Sequence, residues 1–134
     1  MKVLGIGLVC LLGLTVGTAC VYSWWTNPQV IRELRENPEG KRAQKVMLLT
    51  LPSGKAIPVN YLRDGDTVYA AADFPWWREL RDGSGRGSVL IRGETLTGRI
   101  RAVEDDPELR KSVFARLRPT APLWAGTLVE IQLD

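Results

Sequence analysis

Gln44–Ala72 reads QKVMLLTLPSGKAIPVNYLRDGDTVYAAA, three runs of strand character divided by two turns. The runs Gln44–Leu51, Ala56–Arg63 and Thr67–Ala72 carry the Val, Ile, Thr and Tyr whose branched or flat side chains suit a pleated surface. Between them stand Pro52-Ser53-Gly54-Lys55 and Asp64-Gly65-Asp66. An Asp-Gly pair is the stronger turn signal, because glycine takes the positive φ of a tight primed turn. The stretch is therefore two consecutive hairpins, and it makes the chain mainly β.

Downstream the period changes and changes back. Trp76, Trp77 and Leu80 fall at helical spacing between Phe74 and Arg81, and Gly83 ends that pattern. Gly83-Ser84-Gly85-Arg86-Gly87 reads as a mobile connection into a strand at Ser88–Arg92. Gly93-Glu94 then turns the chain into Thr95–Val103, where Leu96, Ile100 and Ala102 alternate with Thr97, Arg99 and Arg101, the signature of a half-buried sheet. Asp105-Asp106-Pro107-Glu108 opens a helix with apolar positions at Leu109, Val113, Phe114 and Leu117. A last strand covers Gly126–Leu133. Six antiparallel strands in so short a chain close most economically into a small barrel with few exposed edges.

Upstream, Val3–Tyr22 holds twenty residues without a charge, enough at about 1.5 Å per residue to cross a hydrocarbon core of about 30 Å. Trp24 and Trp25 follow where an interfacial belt would lie. The pattern predicts a transmembrane anchor at 1–25, with a cleaved signal peptide (Lys2 as n-region, Gly17-Thr18-Ala19 before a cut) and a lipoprotein modified at Cys20 as the alternatives. Basic residues cluster after the span (Arg32, Arg35, Lys41, Arg42), which predicts a single-pass protein of the inner or plasma membrane with its C-terminal domain in the cytoplasm. Asn27-Pro28 starts a short helix through Val30, Ile31 and Leu34, so 26–43 reads as a linker helix and 44–134 as the barrel domain. Gly13 and Gly17 have the small-xxx-small spacing of a membrane-helix seam, a spacing that also arises by chance.

Composition excludes several chemistries. The chain has no histidine, which rules out Ser-His-Asp and Cys-His nucleophile systems and any histidine-held zinc. Both cysteines, Cys10 and Cys20, lie in the apolar segment, so the domain has no disulfide framework or thiolate metal site. Only one of the 18 basic residues, Lys2, precedes Thr26. The remainder carries about +2 in scattered charges, too little to argue for nucleic acid as a partner. The glycines at 83–87 follow a helix and precede a strand, the reverse of a phosphate-binding loop. Asp105, Asp106 and Glu108 suit a helix N-terminus better than a metal ion. Trp76 and Trp77 are consecutive, so both cannot enter one core by the same route. An exposed indole beside Arg78 and Arg81 suits a planar anionic ligand or a membrane-facing edge; the alternative is that core and barrel rim absorb both.

From Lys45 to Leu133 the order of elements and the wording of several segments resemble the deazaflavin-dependent nitroreductase family of the flavin-binding split-barrel superfamily. Val46-Met47-Leu48-Leu49-Thr50 followed by Ser53-Gly54-Lys55 and Pro58 resembles its first hairpin. Tyr61–Tyr69, with Arg-Asp-Gly-Asp at the turn, resembles the second, and Phe74-Pro75-Trp76-Trp77 with Leu80 resembles the family's His-Pro-x-Trp-Tyr-x-Asn-Leu helix. The resemblance implies a six-stranded split β-barrel, a homodimer, and coenzyme F420 or FMN held in a groove of the barrel. It also implies hydride transfer to a small-molecule acceptor of nitro type, and the expected anchor suggests a membrane-soluble acceptor such as a quinone. Carried over position by position, Ser53, Gly54, Lys55 and Pro58 form the phosphate end of the site. Ala70, Ala71 and Ala72 face the ring system, and Trp76 and Trp77 wall the pocket. No catalytic side chain and no metal are implied. The chain departs from the family where Leu51-Pro52 replaces the Arg-Lys of the turn, where Ile57 replaces a later arginine, and where Phe74 replaces the histidine. These losses leave room for a second reading, a non-catalytic barrel that binds a partner or ligand.

Overall fold

Both turn signals within Gln44–Ala72 are met by hairpins. In the computed structural model, which describes residues 28–81, 85–122 and 124–134, strands β1 (Val46–Thr50), β2 (Ala56–Asp64) and β3 (Thr67–Ala72) pair antiparallel in sequence. Gly65 takes φ 62° at the second turn, a conformation that Asp-Gly supplies without side-chain strain. Strands β4 (Gly85–Ile91) and β5 (Glu94–Val103) form a third hairpin, and β6 (Thr127–Leu133) runs between β3 and β5. The circle closes through Leu48↔Leu90, Leu49↔Val89 and Thr50↔Ser88, giving the barrel order β1-β2-β3-β6-β5-β4.

The alternation of each strand sorts its side chains between the lumen and the outside. Met47, Leu49, Val68, Ala70, Val89, Ile100, Val129 and Ile131 fill the interior at 0% exposure. A 3₁₀ helix, Pro75–Leu80, adds Leu80 to that core, with Trp76 and Trp77 packed against it half-buried. Its short length fits i→i+3 bonding, as in Arg81 N–H to Arg78 O at 3.2 Å. Outside the barrel, helix α1 (residues 28–36) sets Leu34 with Ala43 over Leu48, and helix α2 (Pro107–Leu117) sets Val113 and Phe114 over Val103 and Leu128. Asp106 caps α2 by accepting from Leu109 N–H at 3.0 Å, which gives the acidic run at its start a structural task.

Two expectations change. The barrel stands, but the transmembrane helix expected ahead of it is not among the elements described, and the single-pass, cytoplasm-facing membrane placement is not supported. Among the described residues no helix is long and apolar enough to cross a membrane. Helix α1 spans nine residues and α2 eleven, about 14 and 17 Å at 1.5 Å per residue against the 30 Å required, and both carry charges throughout. The segment expected to form the anchor, 1–25, lies outside the described residues, as do its glycine pair and its tryptophan belt. Second, the glycine-rich connection is only partly a connection: Gly85 and Gly87 belong to β4, while 82–84 lie outside the described residues. A Cβ on Gly87 would sit 2.3 Å from Thr50 O and from Ile100 Cδ1, so glycine is there for close approach of β1 and β5 rather than for mobility. The helix at residues 28–36, within the expected linker region, packs on the barrel, with Leu34 buried against it at 2% exposure.

Candidate functional site

The β2–β3 hairpin is paired for less than its length. Register pairs run from Asp64↔Thr67 to Tyr61↔Ala70 and stop, so Ala56–Asn60 of β2 is held by β1 alone. Leu51 N–H donates to Lys55 O at 2.9 Å and Tyr61 N–H to Lys45 O at 3.1 Å, which turns the backbone groups of 55, 57, 59 and 61 toward β1. By the two-residue period, the backbone groups of Ala56, Pro58 and Asn60 face the open seam. Proline at the middle of that edge has no N–H to leave unpaired, so the seam stays open without inviting another strand.

A groove of about 730 Å³ occupies this seam. Ala56, Pro58 and Ala71 form an apolar floor on the outer face, and Ile57 and Val59 reach it from the barrel interior through the gap in the wall. Trp76 and the exposed Phe74 stand on one side, while Val30 and Arg42 stand on another. Leu117, Arg118 and Ala121, from the end of α2 and the turn after it, complete the lining. Among the described residues three cations, Arg42, Lys55 and Arg118, line the groove, and Asp73 is the one acidic lining residue.

These charges are held unequally. Arg42 is engaged by Glu33 at 3.0 Å, with both groups nearly half exposed. The Lys55 ammonium has no partner among the described residues. Arg118 has its Nη1 donating to Asp73 Oδ1 at 2.8 Å, its guanidinium carbon 5.5 Å from the Phe114 ring centroid, and its side chain only 19% exposed. The same ring has Arg110 over it at 4.7 Å, and Arg110 in turn donates to the carbonyls of Ala125 and Gly126. Ala125 and Gly126, just ahead of β6, are thus tied to α2 beside Arg118.

The residues singled out from sequence divide cleanly. Lys55, Pro58, Ala71 and Trp76 meet on the groove. Ser53 and Gly54 do not: they form the turn beside it, where Ser53 Oγ donates to Glu79 Oε1 at 3.0 Å and Gly54 takes φ 93°. Ala70 and Ala72 point into the core at 0% and 2% exposure, so of the three alanines only Ala71 faces outward. Trp77 packs on the core with Arg81 stacked 4.8 Å from its ring centroid, which leaves Trp76 as the groove's indole. Arg42, Asn60, Asp73 and Arg118 also line the groove and were not singled out by sequence. Asp73 directly follows the alanine strand, but nothing local marks Arg118, which reaches the groove only because α2 packs over β3. Among the described residues no three of His, Cys, Asp and Glu gather as metal ligands.

The groove can exclude water over a small apolar floor and present cations at its rim, which suits a flat ligand with an anionic end. No protein-family model matches the chain and no curated protein matches it. Among solved structures the chain is similar to a putative 5-nitroimidazole antibiotic resistance protein from Bacteroides thetaiotaomicron. That likeness has 13% identity and a TM-score of 0.43, over 72% of this chain and 81% of that one. The assignment of a six-stranded antiparallel barrel rests on the chain's own register pairs.

Proposed function

We propose that the barrel, residues 44–134 with the preceding helix against it, binds a flavin-type cofactor, FMN or coenzyme F420, in the β2–β3 seam and serves as an oxidoreductase toward a small quinone-like or nitro acceptor. The observation that carries this reading is the open seam itself: an apolar floor of Ala56, Pro58 and Ala71, flanked by Trp76, with Lys55 and Arg118 at its rim. The lining fits such a group. Small side chains let a ring system lie against the strand, the indole offers a stacking face, and the cations suit a phosphate. When bound, a flavin or deazaflavin supplies hydride transfer, a chemistry that needs no histidine or metal from the chain. The chain's part is to orient the ring, hold its anionic end and keep water off the floor. A homodimer belongs to this proposal, since a second copy would cover the exposed Phe74 beside the groove.

A specific observation favours a second reading, a barrel that binds a ligand without redox turnover: Ser53 is engaged by Glu79 and, with Gly54, stands off the groove, so the phosphate cradle is thinner than the family resemblance implies. Titration of FMN and of coenzyme F420 into the purified chain, followed by cofactor and tryptophan fluorescence, decides whether a cofactor is bound. Micromolar binding that weakens about tenfold in Lys55→Ala is expected for a charge-assisted contact. No binding of either up to about 1 mM, near 4 kcal/mol, overturns the cofactor reading. Binding without reduction of any quinone or nitro acceptor leaves the second reading.

A further inference from the structure

We infer that Arg118 is the anion anchor of the groove and that Asp73 is a built-in competitor for it, so that the site selects ligands ending in a phosphoryl group over neutral or singly charged ones. The inference rests on the groove being a ligand site. It adds a pair of residues that the first-hairpin resemblance does not include.

Arg118 is the most firmly seated cation on the groove. Its guanidinium lies over Phe114 at 5.5 Å, and its Nη1 is close enough to Gly126 that a Cβ there would come within 2.8 Å of it. Gly126 itself takes φ 85°, so both the backbone conformation and the space at that position call for glycine. The cation is therefore seated on α2 and against the start of β6, with 19% of its side chain exposed. Asp73 is seated differently. Its side chain is 54% exposed, it lies in the segment between β3 and the 3₁₀ helix, and its partner among the described residues is Arg118, through one bond of 2.8 Å. A guanidinium has five N–H donors in a planar fork, and Asp73 takes one of them.

An incoming anion meets a cation already half neutralised. It competes for the guanidinium with the more exposed partner, the carboxylate, while the guanidinium stays in its seat. A phosphoryl group of charge about −1.5 to −2 at pH 7, which Lys55 also attracts across the groove, outcompetes a single carboxylate charge. A neutral ligand gains nothing from either cation and leaves the Arg118–Asp73 pair in place.

The test compares FMN with riboflavin, which has the same ring and no phosphate, by quenching of flavin fluorescence. The proteins are the full chain, Asp73→Asn, Arg118→Gln, Arg118→Lys and Glu94→Gln. Asp73→Asn is expected to tighten FMN about threefold to tenfold and leave riboflavin unchanged. Arg118→Gln is expected to weaken FMN about tenfold to a hundredfold, down to the riboflavin level, with Arg118→Lys between. Glu94→Gln makes the same charge change on β5, three strands from the seam, and is expected to alter neither. The inference is overturned if Asp73→Asn binds FMN no tighter than the parent chain, if it tightens riboflavin equally, or if Glu94→Gln reproduces its effect. Should Arg118→Gln fail to fold, Asp73→Asn and Arg118→Lys still decide. Should the parent chain bind neither flavin, the cofactor reading fails alone, and inorganic phosphate becomes the probe. It must then raise the melting temperature of Asp73→Asn more than that of the parent and that of Arg118→Lys less, leaving Arg118→Gln unmoved, or the inference falls as well.

Discussion

Tyr69 shows how one side chain on the outer face of β3 feels its whole surroundings. It packs against the cluster beneath α2, and burial raises its phenol above the ordinary tyrosine value, helped by the negative charges of Glu130 and Asp64. The fold thus favours the neutral phenol. Because the folded-state value lies above the unfolded one of 10.0, the stability it contributes is intact below about pH 10 and is lost as pH rises through the folded value. Tyr69→Phe removes that titration, so its urea midpoint is expected to fall less than that of the parent chain as pH rises above 10; an identical alkaline decline in both would sink the assignment. At this scale the sequence separates Ala71 from Ala70 and Ala72 by the two-residue period but does not say which set faces inward; the resemblance put all three toward the ring, and packing leaves Ala71 alone of them on the groove. The sequence told nothing of Asp73 with Arg118. These lie 45 residues apart and meet only once α2 has packed on β3, with no local pattern to announce them.

Among the elements, α2 links fold to site. Its amphipathic spacing was legible, and so was the acidic start that Asp106 turns into a cap. The surface it would cover was not legible, because helical periodicity identifies an apolar face but not its partner. Phe114 is the residue that settles the matter: at 2% exposure it seats α2 over Val103 and Leu128, and its ring carries Arg110 and Arg118. Arg116 adds a two-pronged contact to Asp64 at 2.9 and 3.1 Å, but that pair is solvent-exposed and contributes little. Phe114→Ala is therefore expected to cost about 3 to 5 kcal/mol in urea unfolding, whereas Arg116→Ala stays within about 1 kcal/mol. If the two variants lose similar stability, apolar seating is not what holds the helix. The turn signals differ in legibility for a related reason. Asp-Gly marks the β2–β3 turn because φ is a local property, while the glycines at 83–87 suggest slack because nothing local announces the close approach of another strand.

At the scale of the molecule the six strands could be named in advance but their circular order could not, since β6 enters between β3 and β5 and β4 returns to β1 through contacts remote in sequence. Two places hold that circle with few rungs. The β2–β3 seam has four register pairs and opens into the groove of about 730 Å³; the β1–β4 closure has three, with a smaller groove of about 400 Å³ over Leu48, Thr50, Ser88 and Leu90. What permits the short closure to be tight is Gly87, one residue before the last pair, Thr50↔Ser88. An added methyl there would lie 2.3 Å from both the Thr50 carbonyl and the Ile100 terminal methyl. The Ile100 methyl can rotate away, but the carbonyl belongs to the ladder and cannot move without loosening it. Gly87→Ala is expected to destabilise the chain by about 2 to 3 kcal/mol and to speed amide exchange at Leu48–Thr50 and Ser88–Leu90 more than in the β3–β6 ladder. Ser88→Ala, on the same strand, changes no backbone approach and should leave both readouts close to the parent. Were Gly87→Ala to unfold at the parent's urea midpoint, the close approach at Thr50 would not be what limits this closure, and the barrel would be held shut there by some contact other than this one.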